Sequence, residues 1–367
     1  MKLFKHLLVA PAVLGLIAPV TANATESDLE AISNLYQENI DLNVKSFKSN
    51  IDNKSLLLSG GEGLVESSAD ESSIDENSFS ETTSASFGST FYVGSVENSA
   101  TGEATTFSYD FGMDLSTSFT GEDSLDIAVI GGNANVTAVD GFMGGDGTSD
   151  ALTLDGVSYT FPLGGATVIV GDGVGVDDLN TGACAYSAFT DLLSDCGTSN
   201  VGGSADSAFA IAYDFDNGFT LAGGAGGGTG TDGFFTEEDA STIGLEAAYT
   251  ADTYGVSVAY TDDEATTYWS VQAMLAPEGY PSLSVGYETD DDDADAIFAG
   301  LTFAEVGPGS VSLGMASTDL SSDDYYQYEL AYSYPLNDGM KITPGVFIKE
   351  TSGDDETGVV VTTSFSF

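Results

Sequence analysis

Between Thr105 and Phe119 apolar and polar residues alternate. Phe107, Tyr109, Phe111, Met113, Leu115 and Phe119 take one parity, and Ser108, Asp110, Gly112, Asp114 and Ser116 take the other. A period of two places the sets on opposite faces of a β-strand. The pattern returns in Phe209, Ile211, Tyr213 and Phe215, in Ile243, Leu245, Ala247 and Tyr249, and in Leu283, Val285 and Tyr287. It returns again in Ile297, Ala299, Leu301 and Phe303, and from Tyr326 through Tyr328, Leu330 and Tyr332 to Tyr334. Each such strand must set its apolar face against something. That is a second sheet in a sandwich, or a nonpolar solvent around a closed barrel.

The connections favour the barrel. Sixteen candidate strands lie between Ser86 and Phe367. Every second connection is a short turn: Thr120–Asp123, Pro162–Gly165, Asp216–Gly218, Ala251–Asp252, Pro277–Pro281, Glu305–Gly309 and Leu336–Gly339. The others are mostly longer and acidic: Gly132–Asp150, Gly171–Ser207, Gly223–Ala240, Asp262–Thr266, Asp290–Asp295, Ser317–Asp324 and Thr351–Glu356. An even strand count with short turns at one end and longer loops at the other is the pattern of transmembrane barrels. A sandwich need not sort its loops in this way. The expected fold is therefore all-β: an antiparallel transmembrane β-barrel of about 16 strands over residues 86–367. At that size the interior holds an aqueous channel. The apolar faces then meet lipid and the polar faces meet water. Asp110, Asp114, Asp126, Asp214 and Glu246 fall on the inward parity and make an anionic wall, which favours cations. Tyr326, Tyr334, Phe365 and Phe367 near strand ends suit interfacial girdles.

Residues 1–24 read as a secretory signal peptide. Lys2 and Lys5 precede an apolar stretch from Leu7 to Val20 and the small-residue site Ala22-Asn-Ala24. Residues 25–85 differ from the rest. Leu29, Ile32, Leu35, Tyr36 and Ile40 give a weak helical stripe, and a run rich in Ser, Glu, Asp and Asn spans Glu66–Ser84. This segment is expected to be a short, acidic, Ser-rich periplasmic extension. The formal net charge is −51, all seven basic residues are lysine, and none lies between Ser55 and Met340. The one histidine, His6, lies in the signal segment. This excludes histidine catalysis, histidine metal ligands and arginine phosphate clamps. It also excludes nucleic acid as a partner, since phosphate neutralisation needs Lys and Arg. Such self-repulsion suits a saline setting, where at marine-like salt the Debye length falls to roughly 4 Å. Cys184 and Cys196 fit an exported chain with one disulfide, two free thiols being the other reading. A bridge closing so short a loop is worth ~3 kcal/mol in the chain-entropy treatment.

Two stretches carry a family resemblance. The last strand places Val359, Val361, Phe365 and Phe367 on one face, and this ending resembles the C-terminal assembly signal of bacterial outer-membrane barrels. Met1-Lys-Leu-Phe-Lys5, with Leu8-Val-Ala-Pro11 and Leu14-Gly-Leu16, resembles the signal segment of marine picocyanobacterial porins. Thr106–Phe111 and Leu115–Leu125 are similar to the first hairpin of their barrel, which belongs with the carbohydrate-selective porin superfamily. The resemblance implies an outer-membrane porin of a Gram-negative-type bacterium, a marine cyanobacterium. It implies outer-membrane lipid, the outer-membrane assembly machinery, and small solutes and ions as partners. Family members often carry an S-layer-homology segment before the barrel; residues 25–85 are short and lack its pattern. In trimeric general porins the third external loop folds inward and constricts the pore. The likeness thus implies a homotrimer. It also implies an acidic constriction by Asp177, Asp178, Asp191 and Asp195 in the third loop, Gly171–Ser207, which holds both cysteines. A surface loop tied by the disulfide outside the pore is the alternative.

Two rival functions also fit the sequence. Gly227–Phe234 fits one calcium β-roll nonapeptide, and Gly144–Ser149 nearly so; tandem copies would make a secreted calcium-dependent β-roll adhesin. A carboxylate-pair hydrolase is the other, but no pair stands out among 58 acids. No catalytic residue, cofactor or confident metal site is expected. Acidic runs such as Asp290–Asp293 hold Ca²⁺ or Mg²⁺ loosely at most.

Overall fold

Backbone donors and acceptors of a lone amphipathic strand have no partners of their own, so each strand must pair on both edges. Here the pairing is complete. Sixteen antiparallel strands hydrogen-bond in chain order and the last returns to the first, closing a barrel. The computed structural model describes residues 83–367 except 101, 135–136, 146, 203–206, 228–240, 292–293 and 321–322. The signal peptide, the helical stripe and acidic run before Thr83, and all but Gly227 of the β-roll motif lie outside the described residues.

The strands are β1 (Thr83–Glu97), β2 (Thr106–Thr117), β3 (Ser124–Gly132), β4 (Thr153–Leu163), β5 (Ala166–Asp172), β6 (Ser207–Asp214), β7 (Phe219–Gly227) and β8 (Ser241–Ala251). They continue with β9 (Tyr254–Asp262), β10 (Thr267–Leu275), β11 (Ser282–Asp290), β12 (Asp295–Val306), β13 (Gly309–Leu320), β14 (Asp323–Asn337), β15 (Met340–Lys349) and β16 (Glu356–Ser366). One short helix, α1 (Ala138–Met143), sits between β3 and β4. The expected short turns fall between β2 and β3, β4 and β5, and so on around one rim, and the longer connections leave the other.

The faces are sorted as the alternation requires, and inside out relative to a water-soluble core. On β8, Leu245 is 54% exposed and its neighbour Glu246 6%; on β10, Trp269 is 52% exposed and Ser270 5%. Phe107, Leu221, Val258, Leu283, Leu313, Leu330 and Ile348 are likewise exposed on the outer face. Aromatic pairs ring both outer rims. Tyr213–Phe215 and Phe219–Tyr249 stand 4.7 and 4.9 Å apart at the turn end. Tyr260–Trp269, 4.7 Å apart, lies at the loop end.

The last strand closes the barrel on the first. The Phe87 and Phe367 amides each donate to the other's carbonyl, at 2.8 and 3.0 Å, and their rings stack 5.6 Å apart. Val359, Val361 and Phe365 pair with Ser95, Val93 and Ser89 on β1. Their odd parity faces outward, while Val360 is buried inside at 1% exposure.

Candidate functional site

The loop from β5 to β6 does not leave the barrel. Val174, Val176, Ala183, Leu193, Cys196 and Val201 along it are all buried, so its apolar residues have found seats on the lumen wall. An irregular loop inside a polar lumen still has to satisfy its amides. Three glutamates, spaced three strands apart on the wall, do so. Glu246 on β8 accepts from the Thr181 and Gly182 amides at 2.6 and 2.9 Å. Glu288 on β11 accepts from the Asn200 side-chain amide and the Val201 amide at 2.6 and 3.1 Å. Glu329 on β14 accepts from the Phe189 and Thr190 amides at 2.8 Å each, the Tyr186 hydroxyl at 2.8 Å and the Thr190 hydroxyl at 2.5 Å. Ser284 and Thr302 accept further amides, from Ala185 and Ser187.

The loop therefore runs out along β7 to β14 and doubles back toward β9. Cys184 on the outgoing limb is bonded to Cys196 on the returning one, with Cα atoms 5.9 Å apart. Gln272 on β10 holds both limbs. Its carbonyl oxygen accepts from the Ala183 amide at 2.8 Å, and its amide group donates to the Asp195 carbonyl and the Thr198 hydroxyl, both at 2.7 Å.

Close approach of loop to wall needs missing side chains. A Cβ at Gly286 would strike the Cys196 carbonyl, at Gly300 or Gly314 the Tyr186 ring, and at Gly345 the Phe189 ring. It also needs apolar sockets. Phe298 and Ala316 receive Leu193 and Cys196. Phe347, Val360, Tyr92 and Val96 receive Val139 of α1, with Phe142 and Phe189 packed beside them. The helix is fixed by a capping box between Thr137 and Asp140, and the Ser108 hydroxyl of β2 donates to Asp140. The two inward segments meet where Gly144 abuts Asp191.

Each residue singled out from the sequence has a defined place. Asp110, Asp114 and Asp126 lie on the lumen face of β2 and β3, and Asp214 on that of β6 near the turn end. Asp110 accepts from the Thr90 amide at 3.0 Å and from the Tyr92 hydroxyl; Asp126 accepts from Ser124 at 2.8 Å. Glu246 is on the lumen face too, but its charge is spent on the loop. Asp177, Asp178, Asp191 and Asp195 all ride on the loop inside the barrel. The Asp177 carboxyl is pushed up to about 6, first by burial and then by Asp178, Asp195 and Glu246 around it. Burial likewise raises Asp178.

The sequence reading missed the anchors Glu288, Glu329 and Gln272. It also treated the lumen as nearly free of cations near its acids. Lys341 and Lys349 share the lumen face of β15 with Thr343, Gly345 and Phe347. Lys349 borders a cavity of about 590 Å³ together with Asp191, Asp195 and Glu356, its ammonium 5.6 Å from the Phe142 ring centre. A detectable signal existed: Tyr92, Phe298 and Phe347 are large apolar residues on the parity that otherwise carries polar ones.

The sequence matches no family model and no curated protein. The fold has solved counterparts. It is similar to OprB of Pseudomonas putida, at a TM-score of 0.60 and 12% identity over 78% of this chain and 94% of that one. It is similar to a loop-deletion variant of OmpT, an outer membrane protein of Vibrio cholerae, at 0.58 and 13% over 78% and 100%. A variant of Rh. blastica porin gives 0.56 and 14% over 78% and 100%. At these identities the likeness is one of fold.

Proposed function

We propose that this chain is an outer-membrane porin: a passive diffusion channel for small hydrophilic solutes and inorganic ions that favours cations. The observation that carries the proposal is the inverted sorting of the barrel. Large apolar side chains stand exposed around most of the outer face, while buried serines, threonines, glutamine and glutamates line the inside. Lipid satisfies the first set and water the second. The rim of short turns then faces the periplasm and the loop rim faces outward. The fold of OprB, OmpT and the Rh. blastica porin supports the same reading, as does the resemblance of the signal segment and first hairpin to marine picocyanobacterial porins. A homotrimer in the outer membrane of a marine cyanobacterium, delivered by the barrel-assembly machinery through the Val359–Phe367 strand, completes it. No catalytic step belongs to it, and Ca²⁺ or Mg²⁺ associates only loosely with the acidic external loops. The adhesin reading gains no support: Gly227 lies within the antiparallel strand β7.

Single-channel recording with ion substitution tests the proposal. Folded protein reconstituted in a bilayer should conduct. In a KCl gradient its reversal potential should have cationic sign and shrink toward zero at molar salt, as mobile ions screen the wall. Anion preference at low salt refutes the charge assignment, and absence of any conductance refutes the channel.

A further inference from the structure

Between the two limbs of the inward loop and the lumen face of β8, β9 and β10 lies a cavity of about 410 Å³. Its walls are held in place by Gln272, whose carbonyl and amide groups are all engaged by the two loop limbs. Two groups bordering it are poorly satisfied by the described residues. Ser270 is 5% exposed, and no group among the described residues bonds to its hydroxyl. Among the described residues the Asp177 carboxylate is met by its own backbone amide, and no cation is among the groups that act on it. Asp195 and Glu246 border the same space. A buried polar group left unpaired, and a partly buried carboxylate among like charges, both cost free energy that a ligand of opposite character recovers.

The chemistry narrows that ligand. It must be cationic, because three carboxylates and no lysine border the cavity. A bare metal ion is disfavoured, since no three acidic or cysteine groups among the described residues converge closely enough to hold one. A neutral polyol leaves the charge of Asp177 uncompensated. A primary ammonium is a compact charge with three hydrogen-bond donors. Its donors match the acceptors of Asp177 and Ser270, which both line the cavity, while Glu246, its oxygens already taken by Thr181 and Gly182, contributes field alone. We propose, on the strength of the channel reading, that this cavity is a subsite for small primary ammonium solutes, with Asp177 as the charge partner and Ser270 as the hydroxyl acceptor.

The test is block of potassium current through the reconstituted full-length chain at 0.1 M salt. The probes are 1,4-diaminobutane and, as a cation with no N–H donor, tetramethylammonium. The diamine should block saturably at a concentration about tenfold or more below that of tetramethylammonium. Asp177→Asn should raise the half-blocking concentration by about tenfold, Ser270→Ala should raise it less, and Asp216→Asn in a remote turn should leave it alone. The titratable groups facing Asp177 are Asp178, Asp195 and Glu246. Taking wild type from pH 7.5 to 5 should mimic Asp177→Asn, and the same change should do little more in Asp177→Asn itself. Equal block by the two probes, or block indifferent to Asp177→Asn in a variant that retains heat-modifiable migration, overturns the subsite. Should wild type carry no current at all, the channel reading falls. Calorimetric titration of the folded protein with the diamine then decides the subsite alone: Asp177-dependent saturation upholds it and its absence ends it.

Discussion

The two sides of the lumen carry the same kind of residue and use it differently. On the side of β8 to β14, Glu246, Glu288 and Glu329 are buried and their oxygens accept the amides and hydroxyls of the inward loop. On the side of β2 and β3, Asp110 and Asp126 bond, among the described residues, to neighbouring strand groups, and Asp114 is exposed. Glycines mark the same divide. Gly286, Gly300, Gly314 and Gly345 on the covered side each meet loop atoms where a Cβ would be, whereas Gly112 on β2 has nothing within 4 Å. A carboxylate on this wall is thus either a structural acceptor or a source of field. What decides is whether unsatisfied donors lie within its reach, not its residue type.

The largest expected effect breaks the covered side. Glu329→Ala strips the acceptor from two amides and two hydroxyls at once. Leaving buried donors unmade costs about 1–3 kcal/mol apiece, partly recovered by entering water, so a loss of about 3 kcal/mol or more is expected. Urea midpoints of the folded protein measure it, and faster proteolysis within residues 173–202 locates it. Asp114→Ala on the open side should shift the midpoint by no more than ~0.5 kcal/mol. Equal losses at the two positions would erase the distinction.

A smaller effect sharpens the same contrast without touching a charge. Gly286→Ala drives a methyl group into the Cys196 carbonyl and should cost about 1–3 kcal/mol through overpacking. Gly112→Ala meets open space and should be neutral or stabilising by up to about 1 kcal/mol, since glycine weakens a strand interior. Matched urea titrations of the two variants read this directly.

The fold was far more legible in the sequence than the site. Alternation of Leu245 with Glu246, or of Trp269 with Ser270, states which side meets water, and Asp216-Asn-Gly218 or Leu336–Gly339 states where the chain turns. These are local signals, and sixteen of them in register leave little choice of architecture. The inward loop depends on contacts between residues far apart in the chain, such as Thr190 with Glu329 or Cys196 with Gly286. Nothing in Glu329's own neighbourhood separates an anchor from a pore charge, because its partners lie over a hundred residues earlier. Tyr92, Phe298 and Phe347 were the exception. An aromatic on the wet parity of a barrel strand has to be covered, and the third loop and α1 are what cover these.

The third effect is on selectivity rather than stability. A unit charge about 8 Å from a permeating ion in water contributes about 0.5 kcal/mol, roughly a factor of two in relative permeability. Asp114→Asn and Asp126→Asn should each lower the cation-to-anion permeability ratio by about that factor, with folding stability little changed. Glu246→Gln should do the reverse, loosening the loop more than it changes the ratio. Reversal potentials in a KCl gradient, set beside urea midpoints for the same variants, separate the two classes of carboxylate. A Glu246→Gln channel as stable as wild type but less selective would place Glu246 with the field sources.

The last effect comes from Asp177, which belongs to neither side of the wall. Its carboxyl is pushed up to about 6 from 3.8, by burial first and by Asp178, Asp195 and Glu246 next. Between those values the folded chain keeps a proton that the unfolded chain releases. This group therefore opposes folding at neutral pH and ceases to do so as pH falls through 6 toward 4. Other carboxylates titrate in the same range, so the group must be isolated by difference. The urea midpoint of wild type minus that of Asp177→Asn should rise on going from pH 7.5 to 5. Over the same interval wild type should lose part of the proposed cation preference, with half the loss near pH 6, and Asp177→Asn should not. A difference that falls instead would mean that Asp177 is stabilised as a carboxylate by a donor or cation, and that the loop carries its charge at neutral pH without strain.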